Sequence, residues 1–163
     1  MNKKKLNRLN QKWHSSNMYA GSFYAEMQRD GFVFMSRGTL DDQVESLSSI
    51  LRCIEKSTEG MMDYLFSVDE LAGEITYRQD SEGHAIYVCN KPDEFEAYAL
   101  GCNEDMRLML ANILTYISKK CNISTHEITF RILVNILAPP GHSLTVRDLL
   151  NTLSEKEDSS CIH

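Results

Sequence analysis

The sequence predicts an α+β fold that is predominantly α-helical: a helical bundle-like core of five to seven helices with one small β-hairpin or a three-stranded sheet. Three observations lead there. Capped windows with apolar residues at helical spacing recur along the chain, one segment (74–89) switches to a period of two, and residues 125–137 are apolar on nearly every side. The length of 163 residues and the 42% hydrophobic content fit one globular domain over residues 1–163. No apolar run approaches the ~18 residues that a membrane span requires.

Residues 1–16 form a basic N-terminal arm, read as a helix over 2–14 with Leu6, Leu9 and Trp13 on a narrow apolar stripe. Met18, Tyr19, Phe23 and Met27 give a second helical pattern over 18–29, stopped by Asp30 and Gly31. The aromatic run 32–35 between Gly31 and Gly38 reads as a buried strand. Thr39 and Asp42 then cap the clearest helix, about 40–57, whose Val44, Leu47, Ile50, Leu51 and Ile54 share one face. A further turn or two is expected around Met61–Phe66, and the run from Ser67 to Glu70 repeats the capping-box pattern.

Over 74–89, Ile75, Tyr77 and Gln79 alternate with Thr76 and Arg78, and His84, Ile86 and Val88 alternate with Ala85, Tyr87 and Cys89. The polar run 80–83 between them predicts a β-hairpin. Pro92 is placed to open a short acidic helix containing Phe95, Tyr98 and Leu100. A helix follows from Asn103 to about Lys120. The run 128–137 alternates as a strand would, but Ser124 and Glu127 form a capping box with Ile123 and Ile128 in staple positions, so 125–137 is assigned as a buried helix. Pro139–Gly141 stops it, Thr145–Asp148 caps a final helix, and 155–163 is expected to be a disordered tail.

Charge is unevenly distributed. Lys3, Lys4, Lys5, Arg8 and Lys12 put five positive charges into the first twelve residues with no acid among them, whereas residues 41–105 carry 16 acids against four basic residues. A field of that sign repels phosphates and attracts basic partners. The five cysteines are odd in number, widely spaced and without a C-x-x-C pair, which fits neither a disulfide framework nor a zinc knuckle. Together with a basic start that lacks an apolar signal core, they indicate a cytoplasmic protein.

No constellation for chemistry stands out. The five histidines include no H-x-x-x-H or H-x-x-H pair, no Glu stands three residues before a His, and the eight glycines are scattered singly, so neither a helix-borne metal site nor a phosphate loop is written here. Residues 125–137, a Pro-Gly break and 143–150 resemble the first two helices of a winged helix-turn-helix domain. The resemblance implies duplex DNA as a ligand, reached also by Lys3, Lys4, Lys5 and Arg8. The chain departs from that motif after Leu153, where a short acidic tail stands in place of a recognition helix.

The sequence therefore points to a non-enzymatic interaction or regulatory module with no catalytic residue, cofactor or metal. Its acidic surface, with Asp41, Asp42, Glu45, Asp93, Glu94 and Glu96 as binding residues, engages a basic protein partner, as an inhibitor or nucleic-acid mimic would. Two alternatives stand beside it: a DNA-associated regulator using the basic arm, and an enzyme whose site is assembled from distant residues. Trp13, Tyr19, Tyr24, Tyr64 and Tyr98 are available to a core or to an interface. The near-apolar helix 125–137 makes a homodimer a further expectation.

Overall fold

Two antiparallel hairpins, each followed by a pair of helices, follow an N-terminal helix. The computed structural model describes residues 3–16, 19–76, 78, 82–101 and 103–138. In chain order the elements are α1 (Lys3–Ser16), β1 (Phe23–Gln28), β2 (Gly31–Ser36), α2 (Leu40–Ile54), α3 (Thr58–Leu71), β3 (Ala85–Asn90), β4 (Phe95–Leu100), α4 (Asn103–Cys121) and α5 (Thr125–Leu137). The strands form one antiparallel sheet in the order β2-β1-β3-β4. Helices α2 to α5 cover one face and α1 crosses the other.

The four-stranded sheet corrects the predicted fold class, which allowed a hairpin or three strands. Its physical reason is a spacing that fits two kinds of element. In β1, Phe23, Ala25 and Met27 enter the core beneath the helices, while Tyr24 packs with Leu9 and Trp13 of α1. Phe23, Ala25 and Met27 alternate with Tyr24, Glu26 and Gln28 as the two faces of a strand do, but the same stretch also satisfies a helical spacing. Tyr19, Phe23 and Met27 happen to fall four apart, which imitates a helix over 18–29; residues 23–28 are strand instead.

The second hairpin is displaced by one strand from its predicted position. The latter half of the 74–89 pattern is β3, but its neighbours are β1 and β4, the region predicted as an acidic helix. Pro92 sits in the β3–β4 turn, closed by the Lys91 N–H donating to the Glu94 carbonyl at 3.0 Å. Ile75 and Thr76 lie outside any strand, while Tyr77 and Gln79 lie outside the described residues. Ser67–Glu70 are interior to α3 rather than a start, with the Ser67 hydroxyl donating back to the Tyr64 carbonyl at 2.6 Å. The predicted helix 40–57 divides at Glu55, and Ser57 caps α3 by accepting from the Gly60 N–H at 3.0 Å.

Other expectations agree with the structure. Thr39 and Asp42 form a reciprocal capping box at the start of α2, with the Thr39 N–H donating to Asp42 Oδ2 at 2.7 Å. Ser124 accepts from the Glu127 N–H at 3.1 Å, and the ambiguous run to Leu137 is helical. The final helix near Thr145 and the tail 155–163 lie outside the described residues. No helix among the described residues is long and apolar enough to cross a membrane.

Two cores result. The larger joins Phe23, Met27, Phe34, Ile86 and Val88 of the sheet to Leu65, Ile113, Leu114, Ile128 and Ile132 of the helices. The smaller lies between α1 and the sheet, where Leu9 and Trp13 meet Tyr24, Ala85, Tyr87 and Cys89. Glu26 is buried on the sheet face that carries Tyr24, and it accepts a hydrogen bond from the Tyr24 hydroxyl. Burial, reinforced by that hydrogen bond and by the Glu26 charge, pushes the Tyr24 phenol far above its ordinary pKa.

A pH dependence follows. The folded chain keeps the Tyr24 proton at pH values where the unfolded chain releases it, so this contribution to stability is intact below about pH 10 and is lost as pH rises beyond it. Burial raises the Tyr64 phenol too, with Arg107 opposing, so part of the loss is shared. Urea unfolding between pH 8 and pH 11 is expected to show the decline, and Tyr24→Phe should flatten it. The same variant leaves Glu26 without its donor and is expected to lower stability at neutral pH by about 1–3 kcal/mol.

Candidate partner-binding groove

At the end of the sheet where β1 and β4 begin, the chain needs close backbone approaches. Gly21 (φ +89°) and Gly38 (φ +96°) provide them: a Cβ on Gly21 would lie 2.6 Å from Ser46 Oγ and 2.9 Å from Asn90 Nδ2, and one on Gly38 would lie 2.6 Å from Asp42 Oδ2. The Gly21 N–H donates to the Arg37 carbonyl at 2.8 Å, the Gln43 side chain donates to the same carbonyl, and Ser22 Oγ accepts from the Asn90 N–H at 3.1 Å. These contacts draw together the β1 entry, the first turns of α2 and the β3–β4 turn.

Between them lies an open groove of about 540 Å³, lined by Tyr19, Glu45, Asn90, Asp93, Glu94 and Phe95 among others. Its volume is within the ~300–1,000 Å³ range of ligand sites. The carboxylates of Glu45, Asp93 and Glu94 are exposed and make no ion pair among the described residues. Lys91 also borders the groove, but its ammonium is engaged by Glu96 at 3.3 Å, which raises its pKa. Tyr19 and Phe95 add aromatic surface to an acidic rim.

The six residues read from sequence as one acidic surface thus separate into three situations. Glu45, Asp93 and Glu94 come together in the groove. Asp42 is spent on the Thr39 cap, and Asp41 reaches Arg131 of α5 at 3.5 Å. Glu96 pairs with Lys91. Elsewhere in the acidic stretch, Asp69 is also engaged, accepting from Thr129 at 3.0 Å and lying 2.7 Å from His126 Nδ1. That cluster joins α3 to α5. The Thr129 hydroxyl bonds to the carboxylate and makes no hydrogen bond to the imidazole, so the three groups do not form a nucleophile–base–orienter chain.

No ion pair joins the basic arm to the groove carboxylates among the described residues. α1 is held by Leu9 and Trp13 with its lysines exposed, and Lys12 Nζ stands 4.7 Å from the centroid of the Tyr98 ring. Lys3, Lys4, Lys5 and Arg8 are exposed on the sheet face opposite the four-helix layer. Of the candidate aromatic anchors, Trp13, Tyr24 and Tyr64 are core, Tyr19 is half-buried in the groove wall, and Tyr98 is exposed. Among the described residues no group of three His, Cys, Asp or Glu side chains is placed to hold a metal ion.

Sequence reasoning names Tyr19 as a candidate anchor but misses the contributions of Asn90 and Phe95 to the groove. Asn90 lies one residue beyond the predicted strand, and Phe95 lies in β4, where the sequence predicts a helix. Near-neighbour signals cannot join position 45 to positions 19 and 94. No family model matches the chain, and comparison with curated proteins and with solved structures returned no significant similarity.

Proposed function

We propose that the chain is a cytoplasmic, non-enzymatic interaction module that receives a basic segment of a protein partner in the groove between α2 and the β3–β4 turn. The supporting observation is the convergence there of Glu45, Asp93 and Glu94, exposed and without an ion pair among the described residues, with Lys91 of the same groove already bound to Glu96. Carboxylates already used within a fold gain little from a new cation. These three are available. Guanidinium groups suit such a rim because they pair with carboxylates in a fork and stack on aromatic faces such as Tyr19 and Phe95.

A fluorescein-labelled peptide of alternating arginine and serine serves as the probe. Binding measured by anisotropy should weaken as salt rises. The triple variant Glu45→Gln, Asp93→Asn, Glu94→Gln should lose on the order of tenfold in affinity, the cumulative effect of three modest charge pairs. Neutralising Asp41 instead should change affinity little, because it is already paired with Arg131 and lies outside the groove. An equal loss per charge removed in the two variants would show that net charge, not the groove, governs binding.

A further inference from the structure

Strand β4 closes one edge of the sheet. Its hydrogen-bond parity is set by the Lys91 N–H to Glu94 carbonyl bond in the turn. With the register Asn90↔Phe95 to Ala85↔Leu100, that bond directs the backbone groups of Glu96, Tyr98 and Leu100 towards β3. The N–H and C=O groups of Phe95, Ala97 and Ala99 therefore point outward, and among the described residues no strand pairs with them.

Proteins usually blunt such an edge with proline, lysine, a bulge or a covering element. Among the described residues, β4 has none of these. Its sequence, FEAYAL, contains one charge, its register is uninterrupted, and Ala97, Tyr98 and Ala99 are exposed. The opposite edge, β2, is half-buried along its length.

We propose that a second copy of this chain occupies the edge, the two β4 strands pairing antiparallel about a two-fold axis with Ala97 opposite Ala97. In that register every outward N–H and C=O of Phe95, Ala97 and Ala99 finds a partner. Side chains fit as well. On the face towards α2–α5, the bulk of Phe95 meets the small Ala99 of the other copy. On the α1 face, Glu96 stands opposite Tyr98 of the other copy, the ring beneath which the charge of Lys12 is held. Each copy thus sets the carboxylate of its Glu96–Lys91 pair beside the cation held under Tyr98 of the other, twice by symmetry, a contact that adds little energy and mainly avoids like-charge repulsion. The result is a continuous antiparallel sheet through both molecules. One strand pair with its flanking side chains buries less than the ~1,200 Å² of a standard interface, so the dimer is a weak one.

Sedimentation equilibrium of the full chain from low to high micromolar concentration tests this. A concentration-dependent dimer is expected, and Ala97→Lys and Ala97→Glu should each be monomeric while an equimolar mixture of the two dimerises. Circular dichroism checks that the variants fold, as exposed substitutions on an edge should. Amide hydrogen exchange on the unmodified chain gives an independent readout: Phe95, Ala97 and Ala99 should slow with concentration, Glu96 and Tyr98 should not. A wild-type chain that stays monomeric with unchanged exchange overturns the proposal. So does a dimer that persists in Ala97→Lys but dissolves in Phe130→Asp, which would place the contact on the exposed aromatic of α5.

Discussion

Trp13→Ala is expected to destabilise the protein by about 3–5 kcal/mol, the range for removing a buried aromatic side chain. Trp13 is 3% exposed and is the largest α1 residue in the smaller core. The helix has little else to hold it. Its remaining buried anchor is Leu9, its first turn carries no acid to complement the helix dipole, and Lys3, Lys4 and Lys5 place like charges there instead. Without the indole, α1 loses most of its apolar contact, and Tyr24, Tyr87 and the buried Glu26 gain access to water. The loss is to be measured by urea unfolding followed by circular dichroism. Because the chain has a single tryptophan, Leu9→Asp offers a companion reading: docking of α1 weakens while the reporter remains, so Trp13 emission should shift to longer wavelength before the helical signal falls. Unchanged emission would mean that α1 stays seated without Leu9.

Asn112→Asp is expected to cost about 3 kcal/mol or more although it alters almost no volume. Asn112 is 1% exposed on α4, and its side-chain amide acts as a substitute strand: Oδ1 accepts from the Thr76 N–H at 3.0 Å and Nδ2 donates to the Thr76 carbonyl at 2.9 Å. One turn along, Thr115 Oγ1 accepts from the Gly73 N–H at 3.0 Å while donating to the Ala111 carbonyl at 2.8 Å. The crossover from α3 to β3 is fastened to α4 through these two polar residues. A carboxylate at 112 replaces the donor with a second acceptor facing a carbonyl and puts a charge where water is excluded. Asn112→Ala, which removes more atoms, should cost less, about 1–3 kcal/mol, because it leaves no uncompensated charge. The ranking of the two variants in urea distinguishes this account from simple cavity formation, which predicts the reverse order.

The helical half of the fold was readable because its signals are local. Thr39 with Asp42 and Ser124 with Glu127 fix helix starts by contacts three residues apart, and those caps form as expected. The strands depend on what covers them. β1 alternates Phe23, Ala25 and Met27 with Tyr24, Glu26 and Gln28, yet Tyr19, Phe23 and Met27 also fit a helical spacing, and β4 mixes exposed alanines with half-buried Phe95 and Leu100. Asp41, Asp42 and Glu45 lie within one stretch of sequence, yet one is paired with Arg131, one caps its own helix and one faces the groove. Sequence shows how many carboxylates exist. Only tertiary contacts show which are still available.

The arrangement β2-β1-β3-β4 also has a kinetic consequence. Each outer pair is a short-range hairpin, whereas the central ladder joins Phe23 to Val88 across the whole of α2, α3 and the crossover. Closing that loop is the entropically demanding event, so assembly of the sheet waits on it and the two halves can each acquire local order beforehand. During synthesis, β1 emerges from the ribosome long before its inner neighbour, leaving a hydrophobic ribbon in need of temporary shelter until residue 90 has been added.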